Sequence, residues 1–142
     1  MIVDLAAQRA MDRLAKVGFD RLAEPERILA TVWQFAAGVA NHGFAGYYGS
    51  RRGDLAWYAP TALRAIGAEE MATLAVAANA QFGAAGPAAD PKARAQQLMQ
   101  LGAAAEQAFA ALEERFFASE EDPDELLERW LERQKFPAQT AA

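Results

Sequence analysis

Pro25-Glu26-Arg27-Ile28-Leu29-Ala30-Thr31-Val32-Trp33-Gln34-Phe35-Ala36-Ala37-Gly38-Val39-Ala40 is the stretch that decides the fold. Proline suits a first helical turn, because its φ is already helical and its missing N–H would have no partner there. Beyond it Ile28, Leu29, Val32, Trp33, Phe35, Ala36 and Val39 put apolar side chains on nearly every side of a helix. A helix apolar all round belongs in the middle of a core, so the rest of the chain is expected to pack around this one.

The sequence upstream and downstream supplies the surrounding helices. Val3, Ala7, Met11 and Leu14 recur at helical spacing among polar residues, and Gly18 marks a stop. Downstream, Asn41-His42-Gly43 is expected to interrupt the central helix, leaving residues 44–48 as a short aromatic turn and 49–53 as a loop. Residues 54–66 read as helical, restarting near Pro60 and ending at Gly67. Glu69 and Glu70 open the next helix, since acids suit the positive end of the helix dipole, and Met71, Leu74, Ala78 and Phe82 form its core stripe. Residues 83–89 read as a flexible connection. Asp90-Pro91 and Asp122-Pro123 each combine an N-cap acid with a first-turn proline, and Gly102 divides the sequence between them into two helices. Leu126, Leu127, Trp130 and Leu131 give the last helix its apolar face, and residues 136–142 are expected to fray. The reading is an all-α protein: one compact domain of about six or seven short helices over residues 1–135.

Composition agrees and narrows the chemistry. The chain has 142 residues, the usual size of one domain, and 53% of them are hydrophobic. A quarter of the residues are alanine, the best helix former and a poor strand former. With no Cys and a single His, thiolate nucleophiles, disulfides and Cys/His zinc sites are excluded. No cofactor motif is present: Gly43, Gly46, Gly49 and Gly53 follow no strand and lack phosphate-loop spacing, and there is no Glu-x-x-His for a di-metal bundle site. The beginning of the chain has no leader pattern and no apolar run spans a bilayer, so the expected location is the cytoplasm, without a membrane partner.

Nineteen acidic against fourteen basic residues give a net charge of −5, which argues against direct nucleic-acid binding. That excess is localised. Residues 1–105 are nearly balanced, whereas residues 106–142 carry ten acidic and four basic side chains. At about 100° per residue, Glu121, Glu125, Glu128 and Glu132 share one sector of the last helix, opposite its apolar residues. Like charges four apart destabilise a helix by a few tenths of a kcal/mol each. A row of carboxylates about 5–6 Å apart also matches the spacing of phosphates on a nucleic-acid strand.

Thr31-Val32-Trp33-Gln34-Phe35, Asn41-His42-Gly43-Phe44-Ala45-Gly46-Tyr47-Tyr48, Gly53-Asp54 and Ala62-Leu63-Arg64-Ala65-Ile66-Gly67-Ala68 together resemble a bacterial family of small helical proteins known as the DNA-mimic-protein-like domain. That family shares an Asn-Gly-Gly-Phe-x-x-Tyr core followed by Ala-Leu-x-x-Ile-Gly-Ala. His42 replaces its first Gly, and Ser50 stands near a frequent Asn. The resemblance spans roughly residues 25–133 and implies an acidic protein, with a homodimer as a further expectation, that occupies the DNA-binding surface of a transcription regulator.

The leading reading is therefore a non-enzymatic binding protein with no cofactor. Glu113, Glu114, Glu121, Glu125, Glu128 and Glu132 would meet a basic protein partner such as a DNA-binding regulator. A second reading places a ligand or enzymatic pocket around Asn41, His42, Tyr47 and Tyr48, where polar tips on an aromatic patch could orient a small molecule. A third is an immunity-type protein that neutralises one basic toxin through the same acidic face. Trp33, Phe44, Leu63 and Ile66 of the family motif read as core, and Gly43 and Gly67 as backbone-geometry positions.

Overall fold

The computed structural model describes the backbone of residues 2–141 and the side chains of residues 3–134. The described residues form seven α-helices: α1 (Ile2–Val17), α2 (Glu24–Gly49), α3 (Ala59–Ala65), α4 (Glu69–Ala80), α5 (Pro91–Gln100), α6 (Ala103–Ala118) and α7 (Pro123–Ala141). Two 3-10 segments, Phe19–Arg21 and Arg51–Tyr58, complete it, with no strand among the described residues. As its apolar circumference requires, α2 packs against α1, α3, α5, α6, α7 and the second 3-10 segment. Alanine permits close approach: Ala59 and Ala62 of α3 and Ala72, Ala75 and Ala78 of α4 are fully buried where these two helices meet.

The start signals act as read. Asp90 accepts a hydrogen bond from the Ala93 N–H at 2.9 Å, and Asp122 accepts from the N–H groups of Asp124 (3.0 Å) and Glu125 (3.4 Å). Gly67, at φ 85°, ends α3 in a Schellman turn: its N–H donates to the Arg64 carbonyl, and that of Ala68 to Leu63 at 2.8 Å. On α7, Leu127, Trp130 and Leu131 are buried, each worth on the order of 1.5–3 kcal/mol. The segment 136–142, expected to fray, falls where side chains lie outside the described residues.

Two expectations around the glycine-rich motif are corrected. Residues 44–48 are helical, not a turn, because α2 kinks at Gly43 (φ 71°, ψ 178°) and resumes immediately. Residues 51–58 form a 3-10 helix where a loop was expected at 49–53. In both places a side chain from a distant helix binds backbone groups that the irregular conformation leaves open. The connection at 83–89 is tied down in the same way: Gln97 donates to the Gly86 carbonyl at 3.0 Å and accepts from the Ala88 N–H at 2.8 Å.

Candidate functional site

The motif Asn41-His42-Gly43-Phe44 and the following tyrosines divide between surface and interior. Asn41 and His42 are exposed, Trp33 is half-buried, and Phe44, Tyr47 and Tyr48 are buried. Phe35, Phe44, Tyr47, Tyr48 and Phe109 form a continuous ring cluster with neighbouring centroids 5.2–6.5 Å apart, an ordinary aromatic core geometry. The Tyr48 hydroxyl donates to Asn79 Oδ1 at 2.6 Å, and Asn79 Nδ2 donates to the Ala56 carbonyl at 2.9 Å. The Tyr47 hydroxyl is buried with no hydrogen-bond partner among the described residues. Burial pushes both phenols up, with Tyr47 adding to the rise at Tyr48, so both stay neutral. The four residues assigned to a pocket thus do not share one wall.

Gly43 has a different task. Its kink frees the Phe44 N–H, which donates to Glu113 Oε1 at 2.8 Å. A Cβ on Gly43 would lie 2.4 Å from that same oxygen, and its φ is one that L side chains rarely adopt. Glu113, placed on the partner-facing surface by its sequence position, is therefore the N-terminal cap of the second half of α2. Its distance of 69 residues from Phe44 hides that role from any spacing rule.

Arg94 was invisible in the sequence and is completely buried. Its guanidinium donates to the carbonyls of Tyr48 (2.6 Å), Ala88 (2.9 Å), Ala89 (3.1 Å) and Ser50 (2.8 Å), and to Asp54 Oδ1 (2.7 Å). All donor nitrogens of a rigid fork are satisfied, which is what keeps a buried charge tolerable. Gly53 makes room: a Cβ there would meet the Tyr47 carbonyl at 2.7 Å and Arg94 Nε at 3.1 Å. The Gly53-Asp54 signal in the motif is the visible half of this arrangement.

The acidic segment builds the most polar surface. Glu121 precedes α7 instead of lying on its face, and its carboxylate accepts from the N–H groups of Met71 (2.8 Å) and Glu70 (3.2 Å), capping α4. Asp122 caps α7, Glu70 bonds Ser119, and Glu125 pairs with Arg129 one turn along α7. Glu114, Glu120, Asp124, Glu128 and Glu132 make no ion pair with another described residue. A hollow of about 290 Å³ is lined by Val3, Asp4, Asp122, Asp124, Glu125 and Glu128. A second, of about 400 Å³, lies along Gly67, Glu120, Glu121, Asp122, Glu125, Leu126 and Arg129. Partial burial, then Asp122 and Asp4, raise the Asp124 carboxyl above the usual 3.8. Burial and these two neighbours outweigh the helix dipole, which favours an anion in a first turn.

Among the described residues, no three His, Asp or Glu side chains are placed to hold a metal ion, and no helix is long and apolar enough to cross a membrane. The model of a family described as DMP19-like protein matches residues 20–134. No curated protein and no solved structure matches the chain at a significant level.

Proposed function

The chain belongs to the DMP19-like protein family, and from that premise we propose that it is a non-catalytic, DNA-mimic-type binding protein whose α7 acidic surface docks a basic protein, such as a DNA-binding regulator. The observation that carries this reading is the crowding of Asp4, Asp122, Asp124, Glu125 and Glu128 around one hollow, with the Asp124 carboxyl pushed up. Five carboxylates set around one hollow with a single paired cation, Arg129 on Glu125, give up stability, and a cationic partner recovers it on binding. Glu114, Glu128 and Glu132 remain in the docking set. Glu113 and Glu121 belong to the fold, because their carboxylates bind backbone N–H groups.

Affinity capture from native cytosol at low and high salt, with the wild-type chain and a Glu114→Lys, Glu128→Lys, Glu132→Lys variant, tests the proposal. A basic partner retained by the wild type at low salt, released at high salt and missed by the variant supports it. Equal capture by both chains contradicts it. Genome neighbourhood then separates a transcription regulator from a toxin as the partner.

A further inference from the structure

The fold uses one side of α6 and leaves the other to solvent. Ala105, Phe109, Leu112 and Phe116 are buried where the helix packs on α2 and α4. At about 100° per residue, Glu106, Ala110, Glu114 and Phe117 share a sector of about 80° turned away from that core. All four are exposed. Glu106 and Glu114 make no ion pair with another described residue. Arg115, the single cation of α6, lies about 100° beyond the sector, so nothing on the helix neutralises this strip.

Phe117 is the unusual member. Its ring is 64% exposed, yet it is held in place, standing edge-on against the core residue Phe116 with centroids 5.2 Å apart and planes at 81°. A ring fixed in this way loses little conformational freedom when a partner covers it, which suits it to anchor an interface. Carboxylates flank it along the chain. Glu114 precedes it by one turn, and Glu120, which also makes no ion pair with a described residue, follows the end of α6. Glu120 borders the hollow that runs on to Asp122, Glu125 and Leu126, so the strip continues into the acidic surface of α7.

Resting on the docking function above, we propose that the outer face of α6 receives an amphipathic basic helix of the partner. An apolar side chain of that helix covers Phe117, and its Lys or Arg side chains reach Glu106, Glu114 and Glu120. The strip from Glu106 to Phe117 is about 17 Å long, three turns of a facing helix, and the small Ala110 between them lets the two backbones approach. A polycation without apolar residues leaves Phe117 uncovered, and an apolar helix without cations leaves the carboxylates unpaired. The face therefore selects for both features together.

Fluorescence anisotropy of the full chain with two labelled Leu/Lys peptides of about 18 residues, five helical turns, tests the proposal. The peptides have the same composition, but one gathers its leucines on a single helical face and the other scatters them. The gathered peptide is expected to bind about tenfold or more tighter. Phe117→Ser should bring the two peptides level, and Phe117→Leu should restore most of the preference, both at an unchanged melting temperature because the ring is exposed. Glu106→Gln combined with Glu114→Gln should weaken both peptides and flatten their salt dependence. Equal binding of the two peptides to the wild type overturns the proposal, as does a preference that survives Phe117→Ser, or no binding of either peptide. Failure of the docking function is read separately, from the natural partner's response to Glu128→Lys, Glu132→Lys, whereas the peptide preference is read at Phe117.

Discussion

Tyr47 and Tyr48 are adjacent, equally buried and chemically identical, yet their hydroxyls have opposite consequences. The Tyr48 hydroxyl donates to Asn79, while that of Tyr47 has no partner among the described residues. Removing an unpaired buried hydroxyl is close to neutral or favourable, whereas removing one half of a buried bond orphans the other half. Tyr47→Phe should therefore leave the unfolding free energy within about 0.5 kcal/mol of wild type or raise it, and Tyr48→Phe should lower it by about 1–2 kcal/mol in urea titrations. Glu113 is a second residue whose surface identity misleads. Glu113→Ala leaves the Phe44 N–H without its acceptor and should cost about 1–3 kcal/mol, with Glu113→Gln recovering part of the loss through its amide oxygen. Neither role is written in local spacing: a tyrosine's partner and a cap 69 residues away depend on how the helices meet.

The helices themselves were largely legible, because their signals are local. Asp90-Pro91 and Asp122-Pro123 fix two N-termini, Gly67 and Gly102 fix two boundaries, and the apolar run after Pro25 fixes the central helix. The reading failed where a tertiary contact overrides a local break. Gly43 kinks α2 without ending it because Glu113 caps the resumed turn, and residues 51–58 stay helical beside the carbonyls that Arg94 holds. At the start of α7, partial burial and then the neighbouring Asp122 and Asp4 raise the Asp124 carboxyl above 3.8. Folding thus favours the protonated form, so its ionisation subtracts stability as pH rises past 3.8, fully so once above the raised folded value. Asp124→Asn should raise the melting temperature at neutral pH. Thermal scans should show that gain shrinking as the pH is lowered toward 3.8. A gain that stays constant across the titration would place its origin elsewhere.

Across the whole molecule, the net charge of −5 separates into carboxylates with different work. Glu113, Glu121 and Asp122 cap helices, Asp54 neutralises buried Arg94, Glu125 pairs with Arg129, and Glu128, Glu132 and Asp124 form no ion pair with another described residue. The charge asymmetry was plain in the sequence, since counting suffices. The division within it was not, because Glu121 and Glu125 sit at the same helical spacing as Glu128 and Glu132, and only the start of α7 at Pro123 removes Glu121 from that row. The proposed pocket around Asn41, His42, Tyr47 and Tyr48 suffered in the same way: neighbours in sequence, they part between solvent and core at the Gly43 kink. On the proposed function, docking falls to the α7 carboxylates that pair with no other described residue. The salt dependence of the dissociation constant for the captured basic partner, measured with wild type and with Glu128→Lys, Glu132→Lys, tests this most directly. The wild type should weaken steeply with salt, and the variant should show a weaker constant with a flattened salt slope at an unchanged melting temperature. Superimposable salt curves for the two proteins would contradict it.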